Sequence, residues 1–109
     1  MKLGQSVVIS SYFHKNDKCI ESSGDIPENA VEIEPNLFEF ENYSPVDCDE
    51  LQGIITGYKQ LSTKIHYQIS QDKIFEGSIE TSWIREPVYI VQNALTKKYF
   101  VKRDWIQVI

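Results

Sequence analysis

Apolar and polar residues alternate one by one along several short stretches of the chain, a period typical of strands with one buried face. Residues 5–12 carry the apolar run Val-Val-Ile and are predicted to form the first strand. Residues 64–70 alternate apolar with polar side chains, and residues 53–58 form an apolar stretch enclosed by two glycines. No segment repeats apolar residues at helical spacing over three turns. The pattern therefore predicts a mainly β fold.

Residues 31–34 and 37–41 alternate apolar residues with glutamates, which predicts two half-buried strands. The expected faces are Val31, Ile33, Phe38 and Phe40 on one side, and Glu32, Glu34, Glu39 and Glu41 on the other. Pro35 and Asn36 favour a turn or bulge between the strands, so the pair forms either a hairpin or one kinked strand. Residues 42–50 contain turn-forming and charged residues and are predicted to be a loop.

The C-terminal part of the sequence predicts a meander of short strands. Residues 71–73 are expected to turn, residues 78–85 to be extended with a short helix at 82–86 as an alternative, and Pro87 to open a strand over 88–92. After a loop at 93–98, residues 99–101 return as the second strand of a hairpin, residues 102–105 form a 3₁₀ turn, and residues 106–109 form the last strand. Trp105 is predicted to be largely buried and to close the core with Ile106, Val108 and Ile109.

Length and composition indicate a single domain over residues 1–109. Hydrophobic residues make up 41% of the chain, enough for a packed core. No apolar run is long enough to cross a bilayer or to form the core of a signal peptide, so we expect a cytoplasmic protein. Cys19 and Cys48 are then expected to be free thiols.

The net charge of −5 is distributed unevenly along the chain. Residues 1–50 contain eleven acids and three bases and carry −8, whereas residues 51–109 carry +3. Charge asymmetry of this kind suggests a surface that interacts with a charged partner.

The sequence contains no recognisable catalytic, nucleotide-binding or metal-binding motif. His14 and His66 do not stand in a metal-ligand pattern, and neither cysteine belongs to a CxxC pair. We therefore expect neither an enzyme nor a cofactor or metal site.

The order of elements resembles that of SH3-like small β-barrels over residues 5–12 and 53–109: a first strand, a meander, a 3₁₀ turn ending in Trp105, and a short closing strand. The resemblance implies a small SH3-like barrel, with residues 13–50 as a long acidic insertion after the first strand. The size, the acidity and the lack of catalytic motifs are also similar to small acidic phage and mobile-element proteins that inhibit host defence, including anti-CRISPR proteins.

Two hypotheses of function follow. In the first, the chain is a protein-binding module that docks on the basic surface of a larger, nucleic-acid-handling protein, and its acids bind the partner: Glu28, Glu32, Glu34, Glu39, Glu41, Asp47, Asp49 and Glu50. In the second, a basic C-terminal hairpin with nearby aromatics binds nucleic acid or assembles a complex: Lys97, Lys98, Lys102 and Arg103. Direct nucleic-acid binding is less favoured because the chain is acidic overall, and a membrane partner is not expected.

Overall fold

The fold is described from a computed structural model, which defines residues 1–17, 26–70, 79–93 and 97–109. These residues are mainly β and include no α-helix, as the alternation predicted. The elements in chain order are β1 (Ser6–Lys15), β2 (Val31–Glu34), β3 (Leu37–Glu41), β4 (Tyr43–Ile69), β5 (Ile79–Gln92), β6 (Lys98–Val101), a 3₁₀ turn (Arg103–Trp105) and β7 (Ile106–Val108). No helix among them is long and apolar enough to cross a membrane.

The strands hydrogen-bond in the order β2-β3-β4-β5-β6-β1-β7, and β4 also pairs with β1. The pairs with an assigned register are antiparallel, as hairpins and meanders require. The contacts divide the chain into two compact units. The first unit comprises Met1–His14, Ser44–Leu61 and Glu86–Ile109, and the second comprises Lys15–Tyr43 and Ser62–Arg85.

The core of the first unit is built from alternate residues of its strands, since successive strand side chains point to opposite faces. Its buried members are Val7, Ile9, Ile55, Val91, Tyr99 and Val101. The hairpin of β5 and β6 sets Tyr89 opposite Val101 and Val91 opposite Tyr99, which confirms the predicted C-terminal hairpin.

The core of the second unit is aromatic. Phe40, Ile65 and Tyr67 are buried, and Ile26, Ala30, Phe38 and Trp83 pack against them. Phe38 lies opposite Tyr67 and Phe40 opposite Ile65 in the register of β3 with β4, so one sheet face carries this cluster. The predicted alternation of residues 64–70 therefore does form a buried face.

Residues 31–41 form a hairpin and not a kinked strand, but the expected faces are wrong for β2. Val31 pairs opposite Glu39 and Glu32 opposite Phe38, with a register irregularity between Glu32 and Glu34. Val31 therefore shares a face with Glu39. Of the four apolar residues expected on the buried face of this hairpin, only Phe38 and Phe40 contribute to the core of the second unit. The limits of both strands were predicted correctly, but all four residues of β2 are exposed, and the relative register of two strands depends on the turn that joins them.

The predicted loop at residues 42–50 is wrong, because these residues begin the 27-residue strand β4. Val46 and Cys48 are half-buried while Pro45, Asp47 and Asp49 are exposed, so the segment does follow a period of two. The exposed positions are filled by residue types that favour turns, so the sequence pattern favoured a loop. The strands predicted at 53–58 and 64–70 are both confirmed as parts of β4.

The helix considered at residues 82–86 does not form, and Pro87 lies inside β5 instead of opening a strand. The 3₁₀ turn and the final strand are confirmed. Trp105 and Ile106 pack against the core of the first unit, as predicted, but Trp105 is only half-buried, and Val108 and Ile109 are exposed and do not close the core. Trp105 also packs edge-on against Phe13 with the ring centroids 4.9 Å apart. The predicted turn at 71–73, Cys19 and part of the loop at 93–98 lie outside the described residues.

Candidate functional site

The hairpin of β2 and β3, with the turn before it, presents several exposed acids of the second unit. Glu32 and Glu34 on β2 and Glu41 at the end of β3 are exposed, as is Glu28 in the turn before β2. We call these four residues the acidic hairpin surface. Among the described residues, no ion pair engages any of them. Within the part of the chain that the structure describes, no ion pair therefore neutralises them, although Glu41 stands opposite Lys64 across β3 and β4.

Glu39 differs from the other glutamates of the hairpin because its carboxylate is already paired. Oε1 lies 3.3 Å from Lys64 Nζ and Oε2 lies 3.2 Å from His66 Nε2. The register of β3 with β4 explains both contacts. Glu39 stands directly opposite His66, and Lys64, which stands opposite Glu41, is the diagonal neighbour of Glu39 on the same face. This carboxylate holds β3 to β4, so Glu39 has a structural role.

The three remaining predicted acids belong to the first unit, at the start of β4. Asp47, Asp49 and Glu50 are exposed, and Asp47 Oδ1 accepts a hydrogen bond of 2.8 Å from Ser11 Oγ. Between them, Cys48 is a free thiol whose Sγ donates to the carbonyl oxygen of Ile9 at 3.6 Å. Burial, followed by the charges of Asp49 and Asp47, raises the pKa of the Cys48 thiol. The eight predicted acids therefore fall into two groups on separate units.

Two aliphatic side chains beside the acidic hairpin surface were not predicted to be part of it. Val31 is 63% exposed and Ile33 is 45% exposed, both on β2. They line a depression of about 400 Å³ whose walls also include Glu39, Phe40 and Glu41. The alternation in the sequence assigned both residues to the core. Their exposure depends on the register of β2 with β3, which the sequence pattern does not show.

Three lysines of the C-terminal half lie against aromatic rings of the first unit. Lys102 Nζ is 5.4 Å from the ring centroid of Phe13 and 5.3 Å from that of Trp105, and it pairs with Glu86 at 3.0 Å. Lys97 lies over Tyr99 at 5.6 Å. Lys59 Nζ lies 5.2 Å from the ring centroid of Phe100, a contact that no local pattern in the sequence indicates. Lys98 and Arg103 are exposed.

A hollow of about 480 Å³ in the first unit is lined by uncharged groups, among them Gln52, Thr56, Gln92 and Asn93. None of the predicted site residues lines it. The residues that the structure describes contain no group of three or more His, Cys, Asp and Glu that could hold a metal ion. His14 is exposed, and His66 is engaged by Glu39.

Comparison with known proteins gave no match to a family model, to a curated protein or to a solved structure.

Proposed function

We propose that the chain is a non-enzymatic protein-binding module that docks its acidic hairpin surface on the basic surface of a larger, nucleic-acid-handling protein. The observation that carries the proposal is the set of exposed carboxylates on one hairpin, Glu32, Glu34 and Glu41, which no described ion pair neutralises. Grouped like charges repel each other in the isolated chain and gain most from a partner of opposite sign.

Proteins that bind nucleic acid carry clustered lysine and arginine side chains that neutralise phosphates. A hairpin that carries exposed carboxylates is complementary in charge to such a groove. The similarity in size and acidity to phage proteins that inhibit host defence makes a defence nuclease, such as a CRISPR effector, the first partner to examine.

The alternative, a nucleic-acid platform on the C-terminal hairpin, has less support. Such platforms expose aromatic faces on which bases stack. In the first unit Phe13 and Tyr99 are buried, and lysine ammonium groups lie over the rings of Phe100 and Trp105. These lysines and rings therefore already interact with one another, so the ring faces are not open for bases to stack on.

For the fold, we propose that the first unit is a small SH3-like barrel and that residues 13–50 are an acidic insertion after its first strand, the last part of which, Ser44–Glu50, runs into β4 of the first unit. The support is the combination of strand pairings, because β1 pairs with β4, β6 and β7. The backbone also brings Gly53 of β4 close to Val91 and Gln92 of β5. A ring of pairings β1-β4-β5-β6-β1 is what a closed sheet requires.

The proposed function is tested by capture from a nuclease-treated bacterial lysate with three charge-reversal variants. Glu32→Lys with Glu34→Lys reverses the acidic hairpin surface. Glu80→Lys with Asp104→Lys makes the same change in net charge at exposed positions elsewhere. Lys98→Glu with Arg103→Glu reverses the exposed bases of the alternative.

We expect one protein partner to be retained by the wild-type chain, by the Glu80 and Asp104 variant and by the Lys98 and Arg103 variant. The Glu32 and Glu34 variant should lose it. Loss with the Lys98 and Arg103 variant alone, or a partner that disappears on nuclease treatment, would favour the basic hairpin instead.

A further inference from the structure

We propose that β2 is a docking edge, on which the partner adds an extended segment rich in lysine or arginine as a further strand. This inference rests on the proposed function, and it specifies how the acidic hairpin surface is bound. It follows from the position of β2 in the sheet, its side chains and its charge.

The position of β2 leaves one of its edges available. Among the described residues β2 is the terminal strand of the sheet order and pairs with β3 alone. An edge strand presents unpaired main-chain N–H and C=O groups, which can pair with another chain. Val31–Glu34 is a short strand, so the added segment would gain a few main-chain hydrogen bonds and would need side-chain contacts as well.

The side chains of β2 offer such contacts. Val31 and Ile33 are exposed and line the depression of about 400 Å³, into which an apolar side chain of the incoming strand fits. Short length, charge and the irregularity between Glu32 and Glu34 are devices that protect an edge from non-specific pairing. Two exposed aliphatic side chains are not part of such protection, and they supply apolar surface that an added strand would cover.

The negative charge of β2 favours a basic segment as its binding partner. Glu32 and Glu34 flank Ile33 and are both exposed, so a segment with lysine or arginine next to its apolar residues gains cross-strand ion pairs. A second copy of this chain is disfavoured by the same charges. Aligning Ile33 with Ile33 of an antiparallel copy sets Glu32 opposite Glu34 twice, and like charges directly opposite each other are destabilising.

The test uses two peptides of nine alternating lysine and valine residues and the full chain. The second peptide has all its main-chain amides N-methylated, so it keeps the charges and side chains but has no main-chain donors. Binding is measured by fluorescence anisotropy, and amide hydrogen exchange is followed at Val31–Glu34. Ile106–Val108, in β7 at the other end of the sheet order, serves as the control edge.

We expect the unmethylated peptide to slow exchange at Val31–Glu34 and not at Ile106–Val108, and the methylated peptide to bind at least about tenfold more weakly. Glu32→Gln with Glu34→Gln should weaken binding about fivefold, as the loss of two exposed ion pairs implies. Glu80→Gln with Asp104→Gln, which removes two exposed carboxylates elsewhere, should leave it unchanged.

Three results would overturn strand addition. If both peptides bound equally and binding still depended on Glu32 and Glu34, the acidic hairpin surface would be supported as a binding site, but strand addition at β2 would be contradicted. Binding of either peptide that ignores Glu32 and Glu34 would remove both proposals. Amides of Val31–Glu34 that are already protected in the free chain would show that the edge is covered, by a second copy if protection rises with protein concentration.

Discussion

At the scale of single residues, Gly53 stands where β4 and β5 leave little room for a side chain. A Cβ placed there would lie 2.5 Å from Val91 Cγ1 and 3.0 Å from the carbonyl oxygen of Gln92, so β4 and β5 approach closely at this point. Gly57 is a matched control, because its nearest neighbour would be Ile90 Cδ1 at 3.3 Å, the end of a flexible side chain.

We therefore expect Gly53→Ala to lower the free energy of unfolding by about 1–3 kcal/mol, the usual cost of overpacking. Gly57→Ala should be near neutral, since the lost entropy of the unfolded chain offsets a mild contact by about 0.4–1 kcal/mol. Urea unfolding of both variants measures the difference. Equal losses would show that the close approach at Gly53 is not a packing constraint.

Tyr67 carries a buried hydroxyl that has no hydrogen-bond partner among the described residues. Burial raises the pKa of this hydroxyl above its ordinary value. The unfolded chain therefore ionises Tyr67 first, and folding loses stability as the pH rises through about 10, the ordinary tyrosine value, towards the raised folded pKa.

Tyr67→Phe should leave the free energy of unfolding at pH 7 unchanged or raise it by about 1 kcal/mol, because an unpaired buried hydroxyl is removed. Its advantage over the wild type should grow above pH 10. Tyr58→Phe, at an exposed residue whose hydroxyl donates to the carbonyl oxygen of Met1 at 2.7 Å, should show no alkaline gain. A destabilised Tyr67→Phe at pH 7 would mean that the hydroxyl has a partner.

At the scale of elements, the hairpin of β2 and β3 depends on its turn. Asn36 has a φ of 64°, a left-handed conformation that asparagine and glycine tolerate, and it follows Pro35 as in a type II turn. Its carbonyl oxygen accepts the N–H of Ile69 at 2.8 Å. The turn thus fixes both the register of β2 and the join to β4.

Asn36→Gly should leave the thermal midpoint nearly unchanged, whereas Asn36→Val should lower the free energy of unfolding by about 1–2 kcal/mol, the cost of a left-handed conformation. Circular dichroism melts of the two variants make the comparison. If valine were tolerated as well as glycine, the turn would not have the geometry described.

Strand existence was more predictable than strand limits and register. The period of two in residues 64–70 and the hairpin around residues 93–98 are local signals, and both were found in the sequence. Residues 42–50 were missed because aspartates and Pro45 fill the exposed positions of an otherwise alternating strand. The faces of β2 were missed because register depends on pairing with β3, which a single strand does not encode.

At the scale of the whole molecule, the charge split was read directly from the sequence, but its distribution in space was not. The acids divide between two units, and Glu39 is taken up by Lys64 and His66. Pairing of this kind depends on which strands become neighbours. The exposed Val31 and Ile33 could not be found from alternation, since alternation assigned them to the core.

The central claim, that the acidic hairpin surface docks on a basic partner, predicts steered association. Its most direct test is the association rate with the captured partner, measured against ionic strength for the wild type and the charge-reversal variants. The account predicts that Glu32→Lys with Glu34→Lys slows association about tenfold or more at low salt. The difference in association rate between the wild type and this variant should shrink above an ionic strength of roughly 0.15 M, where the Debye length is about 8 Å.

Glu80→Lys with Asp104→Lys should have a much smaller effect on the association rate, and Lys98→Glu with Arg103→Glu should not slow association. A rate that falls with the Lys98 and Arg103 reversals and is unaffected by those at Glu32 and Glu34 would contradict the claim.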